Sequence, residues 1–256
     1  MTGSILLTAA AMVLIPGGEY QPFLANGPPP AIPGAATPAL AGPRRVSVPK
    51  FWLDPYPVTE AEFLAFVRAH PEWRRSRVPR IFADSHYLEH WSRDLRSRAK
   101  AESPVTRVSW FAAKAFCEAR GASLPTVDQW EYAASERDPD PRRAAETNRR
   151  ILEWYARPGT TSPASVRTAP ADGRGVHGLH ALVWEWTLDF NSLLLASEAR
   201  ATGAGDRGLF CGGSALGALD PTDYASFMRY SFRGSLQAPF SIGTLGFRCA
   251  REELTP

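Results

Sequence analysis

Leu124-Pro125-Thr126-Val127-Asp128-Gln129-Trp130-Glu131-Tyr132-Ala133-Ala134 decides the fold of this chain when it is read with Val183-Trp184-Glu185-Trp186 and Leu245-Gly246-Phe247-Arg248-Cys249. Thr126 with Gln129 three residues on makes a capping box, so a helix opens there and carries Trp130 and Tyr132. Outward from it, Ser109 caps a helix running through Phe111, Ala112, Ala115 and Phe116 to a stop at Gly121. Thr59 and Glu62 form another capping box, and Phe63, Phe66 and Val67 then supply an apolar helical stripe that reads as core.

Two segments read as strands. Met12-Val13-Leu14-Ile15 leads into a turn at Pro16-Gly17-Gly18, and Val46 to Leu53 alternates as one strand. Between them, residues 21–43 hold Pro28-Pro29-Pro30 and more Pro, Gly and Ala, the composition of an insertion or linker. Residues from about 135 to 175 read as surface loops with a short helix around Arg142 to Tyr155. No internal repeat is visible, so residues 12–256 are expected to form one domain.

Composition narrows the function classes. A chain of 256 residues with 44% hydrophobic content buries a full core. Its net charge of +3 argues against nucleic acid as a partner. Arg74-Arg75-Ser76-Arg77 is the densest basic cluster and reads as a solvated loop or helix end. Eight tryptophans, 20 glycines and 23 prolines suit loops pinned by aromatic side chains. The run from Ile5 to Ile15 is too short to span a bilayer, which takes about 20 apolar residues. Residues 1–11 read as a leader or signal remnant, with small residues at Ala9 to Ala11, although no Lys or Arg precedes them as a signal requires. The chain has no Gly-Lys-Ser/Thr phosphate loop, His-Glu-x-x-His, Cys-x-x-Cys or Gly-x-Ser-x-Gly.

Taken together, the three opening phrases resemble the formylglycine-generating enzyme (sulfatase-modifying factor) family. The resemblance implies a loop-rich α+β variant of the C-type lectin fold, with few regular elements. Pro16-Gly17-Gly18 and Asp54-Pro55-Tyr56-Pro57-Val58-Thr59 are similar to further family phrases. Family enzymes carry two cysteines shortly after a Gly-Gly-Ser and grip copper(I) between them. Here Gly212-Gly213-Ser214 is followed by Ala215-Leu216-Gly217-Ala218-Leu219-Asp220, so the resemblance does not carry copper over.

Other family features transfer residue by residue. The resemblance implies a disulfide between Cys117 and Cys249, and with it a periplasmic or secreted protein. The alternative is two buried thiols and a cytoplasmic location. Val183-Trp184-Glu185-Trp186 is similar to a family segment beside a calcium site, which makes Glu185 a candidate calcium ligand. The Gly-Asn expected just before it is Ala181-Leu182, and Glu185 reads equally as an acceptor for backbone or indole donors. Arg229 and Arg233, at i and i+4, lie near the family's peptide site. With Asp220, Asp223 and Tyr224 they are candidates for a binding pocket, or for ties between loops and core. Cys211 is the candidate reactive thiol, with Met228, His177 or His180 as partners; alternatively it is packing.

Phe210-Cys211-Gly212-Gly213, Asp223 to Arg229 and Thr244 to Cys249 resemble a bacterial subgroup that accompanies copper nitrite reductase and related respiratory proteins. The resulting expectation is a non-catalytic accessory protein that binds a peptide or partner protein. A metal-dependent oxidase built on Cys211 and a ligand-display protein are the alternatives.

Overall fold

Pro49 and Lys50 divide the stretch expected to be one strand. The structure is a computed structural model that describes residues 11–22, 45–135, 146, 149–154, 156, 163–191 and 224–253. In it Val46–Val48 (β3) pairs antiparallel with Gly18–Tyr20 (β2), whereas Phe51–Leu53 (β4) joins a different sheet. Proline has no N–H to give a ladder, so the alternation of apolar residues continues through Pro49 while the pairing does not. β4 is central, flanked antiparallel by Val13–Ile15 (β1) and Ala250–Glu252 (β9). Trp91–Arg93 (β5) and Arg96–Ser97 (β6) form a small hairpin, and Trp184–Glu185 (β7) runs parallel to Leu245–Gly246 (β8).

The helices follow their local signals. Glu60–Ala69 (α1) and Val127–Ala134 (α3) each begin with the expected capping box, on Thr59 and Thr126. Trp110–Ala119 (α2) is capped by Ser109, whose hydroxyl accepts from the Ala112 amide. It ends at Gly121, where φ is +65°. The amides of Gly121 and Ala122 return to the carbonyls of Glu118 and Cys117, the paired closure that favours glycine at the left-handed position. Tyr224–Gly234 (α4) is the remaining long helix among the described residues. Residues 149–154 are helical, inside the stretch where a short helix was expected. Residues 1–10 and 23–44, which hold most of the expected leader and insertion, lie outside the described residues.

Phe63 from α1, Phe116 from α2 and Phe247 from the C-terminal stretch meet in the core. Their ring centroids are 5.9 Å apart for Phe63–Phe116, 6.1 Å for Phe63–Phe247 and 5.3 Å for Phe116–Phe247. All three are essentially inaccessible to solvent, and each such side chain contributes about 1.5–3 kcal/mol. Trp186 is fully buried and donates its indole N–H to the Val108 carbonyl at 2.9 Å. The fold is thus mixed α+β, with two- and three-residue strands and long irregular connections.

Candidate functional site

β7 and β8 bring the second and third diagnostic phrases side by side. Trp184 N–H donates to the Thr244 carbonyl and Trp186 N–H to that of Gly246. A Cβ at Gly246 would lie 2.6 Å from the Val105 carbonyl oxygen, so only glycine lets these backbones approach. Immediately after β8, Arg248 is fully buried. Its Nε and Nη2 each donate to Glu185 at 2.8 Å, and its remaining donors reach the carbonyls of Asp54, Pro55 and His177. Trp130 Nε1 donates to the same carboxylate at 2.8 Å.

Glu185 therefore does not fit a calcium ligand. Both its oxygens accept from a guanidinium and one also accepts from an indole. A calcium ion there would face an arginine rather than the six to eight oxygens it needs. Among the described residues, no group of three or more His, Cys, Asp or Glu could hold a metal ion. His177 and His180 are engaged elsewhere. His177 stacks on Tyr56 at 4.3 Å with Nδ1 bonded to the Ala169 carbonyl. His180 packs edge-on to Trp130 with Nε2 bonded to the Ala134 carbonyl.

Arg229 and Arg233, candidates for a pocket or for ties to the core, line a small cavity and are held on its core side. From successive turns of α4 they converge on Glu131 of α3. Arg229 donates through Nε at 3.0 Å and Nη2 at 2.8 Å, and Arg233 through Nη1 at 2.5 Å. Arg229 Nη2 also donates to Ser226 Oγ at 2.7 Å. The two guanidiniums lie 5.6 and 4.9 Å from the centre of the Trp130 ring. Burial disfavours the Glu131 carboxylate, yet the two arginines outweigh it and hold its pKa at about 2. These arginines tie a helix to the core.

The cavity beside them, bounded by Trp154, Trp184 and Phe232, has a volume of about 10 Å³. That is room for about one water. Its outer wall is a half-buried aromatic stack, with Trp184 and Phe232 at 4.5 Å and Trp154 and Trp184 at 5.4 Å. Of the remaining pocket candidates, Tyr224 is exposed at the start of α4, its ring 5.9 Å from that of Phe227. Cys211, Asp220 and Asp223 lie outside the described residues.

Cys117 in α2 and Cys249 before β9 are joined in a disulfide, with Cα atoms 5.5 Å apart. Arg120 forks onto Asp54 at 2.9 and 3.1 Å, and Asp54 also accepts from the Cys249 amide. Glu60 likewise accepts from Trp91 Nε1 at 2.8 Å and meets His90 Nε2 at 2.6 Å. The Asp54, Glu60 and Glu131 hubs were not anticipated. The one usable signal was the arginine pair on α4, which had to find an acid. With three cysteines in the chain and two of them bonded, denatured protein made under oxidising conditions should react with one equivalent of thiol probe, at Cys211. Three equivalents would show the bond to be absent.

The family described as "Sulfatase-modifying factor enzyme 1-like domain" matches residues 4–253. The chain is 28% identical over 292 residues to the formylglycine-generating enzyme of Streptomyces coelicolor, covering 94% of this chain and 88% of that protein. It is 29% identical over 222 residues to inactive C-alpha-formylglycine-generating enzyme 2 of Mus musculus, covering 69% of this chain and 68% of that protein. Hercynine oxygenase of Mycobacterium tuberculosis is 32% identical over 168 residues, 56% of this chain and 38% of that protein.

Proposed function

From its membership of the sulfatase-modifying factor enzyme 1-like family, we propose that this chain keeps the family scaffold as a binding protein without formylglycine-forming activity. The observation that carries this reading is the number of available thiols. Two of three cysteines form the disulfide, leaving Cys211 alone, and linear copper(I) ligation by two thiolates needs a second. Similarity to relatives named as inactive supports the same reading.

The ligand in this reading is a peptide or partner protein. The half-buried Trp154, Trp184 and Phe232 supply the aromatic area that such contacts favour. A disulfide suits an oxidising compartment, so the proposed location is the periplasm or outside the cell. Resemblance to the subgroup that accompanies copper nitrite reductase supports a respiratory copper protein as the partner to try first. Among the described residues no helix is long and apolar enough to cross a membrane.

The test is direct. Purified protein is incubated with copper(I), oxygen and a Cys-x-Pro-x-Arg peptide, and aldehyde is measured by mass spectrometry. The expected result is no aldehyde above the free-metal control. Turnover above that control would overturn the binding reading and return attention to Cys211.

A further inference from the structure

The basic cluster at Arg74 to Arg77 is more than a solvated loop. It edges a groove of about 240 Å³ lined by residues from 75–80 and 83–87. Arg75, Arg80 and Ser85 are among the polar side chains that line it. Arg80 is exposed and makes no ion pair or hydrogen bond with a described residue. Arg75 spends only Nη1, on the Glu89 and Trp91 carbonyls at 3.4 Å each, which leaves Nε and Nη2 available. Arg74, beside them in the chain, has a solvent-shielded Nε with no acceptor.

The walls are held in place before any ligand arrives. Ser76 is pinned to Asp94 through its amide at 2.9 Å and its hydroxyl at 2.5 Å. Tyr87 donates its hydroxyl to the Trp73 carbonyl at 3.0 Å. Asp84, also on the lining, accepts from the His86 and Ser241 amides and so anchors this wall to the C-terminal loop. A preformed groove saves a ligand the cost of ordering it.

Charge and apolar surface identify the occupant. Residues 68–100 hold nine Lys or Arg against four Asp or Glu, while the whole chain carries only +3, so positive charge is concentrated on this segment. The arginines are followed directly by Ile81, 71% exposed, and Phe82, 40% exposed. A small dicarboxylate would satisfy the guanidiniums and leave those two side chains in water. The chain's net charge of only +3 argues against nucleic acid as the occupant. We propose that this groove docks an acidic polypeptide segment of a partner, with carboxylates on Arg75 and Arg80 and an apolar side chain on Ile81 and Phe82. Arginine forks match carboxylates in geometry as well as charge.

This deepens the accessory reading by naming the partner's chemistry, and it fails separately from it. Aldehyde formation would sink that reading without touching this groove. The probe is a short fluorescein-labelled peptide of alternating Glu and Leu, titrated with the full chain and followed by anisotropy. Binding should weaken by about tenfold or more in the Arg75→Glu/Arg80→Glu variant and as salt rises. It should be unchanged in Lys50→Glu, whose ammonium pairs with Glu253 elsewhere on the surface. Ile81→Asp, at an exposed position, should weaken the same peptide while leaving the fold intact by circular dichroism. No binding, or equal loss in the Lys50→Glu control, would overturn the proposal. So would equal affinity for oligothymidylate, which would show a general polyanion surface.

Discussion

Replacing Glu131 with glutamine should lower the unfolding free energy by about 3–5 kcal/mol, read from urea denaturation at neutral pH. Glutamine keeps the volume and one acceptor, so the loss measures the charge together with one acceptor turned donor. The side chains of Arg229 and Arg233 are only 8% and 5% exposed, and the substitution removes the negative charge on which both converge. The pH dependence follows from the same geometry. The folded pKa of about 2 lies below the ordinary unfolded value near 4.3. The ion pair's contribution is therefore complete above about pH 4.3 and disappears as pH falls toward 2. The difference between wild type and Glu131→Gln should shrink across that interval, because protonation turns the native carboxyl into a neutral group. A gap that stays constant down to pH 2 would mean that the arginines do not depend on this charge. Exchanging all three residues for apolar ones of similar size is expected to cost far less, since a buried pair's net worth is small even when breaking it is expensive.

The second large effect is covalent. Cys117 and Cys249 are separated by 132 residues. The chain-entropy relation then puts the bond's stabilisation at about 5 kcal/mol, less whatever the reduced chain retains as residual structure. The Cys117→Ser/Cys249→Ser variant should show a correspondingly lower urea midpoint, and Cys211→Ser should not. A loss under about 1 kcal/mol would mean that the reduced chain is already held compact by other contacts.

The helices were legible in the sequence because their signals are local. Thr59 with Glu62, Thr126 with Gln129, and Ser109 with Gly121 each report on residues within one or two turns. The family phrases extended that reading to β7 and β8, whose pairing is long-range. Failures came where a residue's partner is distant. The i, i+4 spacing placed Arg229 and Arg233 on one helix face but could not say what that face meets, and Glu131 lies 98 residues before Arg229. Glu185 carried the composition of a calcium ligand, while the group that claims it, Arg248, is 63 residues away. Pro49 misled in the opposite sense. The pattern of side chains passes through it, whereas the ladder that defines a strand needs the amide that proline lacks.

The stretch from Leu245 to Glu252 gives the fold a schedule. It carries the partner strand of β7, the third ring of the phenylalanine cluster, the counter-charge of Glu185, the second sulfur of the disulfide and the strand that completes β4's sheet. All of these follow every other described element in the chain. On a ribosome or emerging through a translocation pore, α1, α2 and α3 can take shape in turn, but the core they enclose stays open until residues 245–252 are released. The half-built chain holds Cys117 without its mate and Glu185 without its arginine. Chaperones and thiol oxidants would therefore meet this domain after α3 has formed, while it still waits for residues 245–252 to close it.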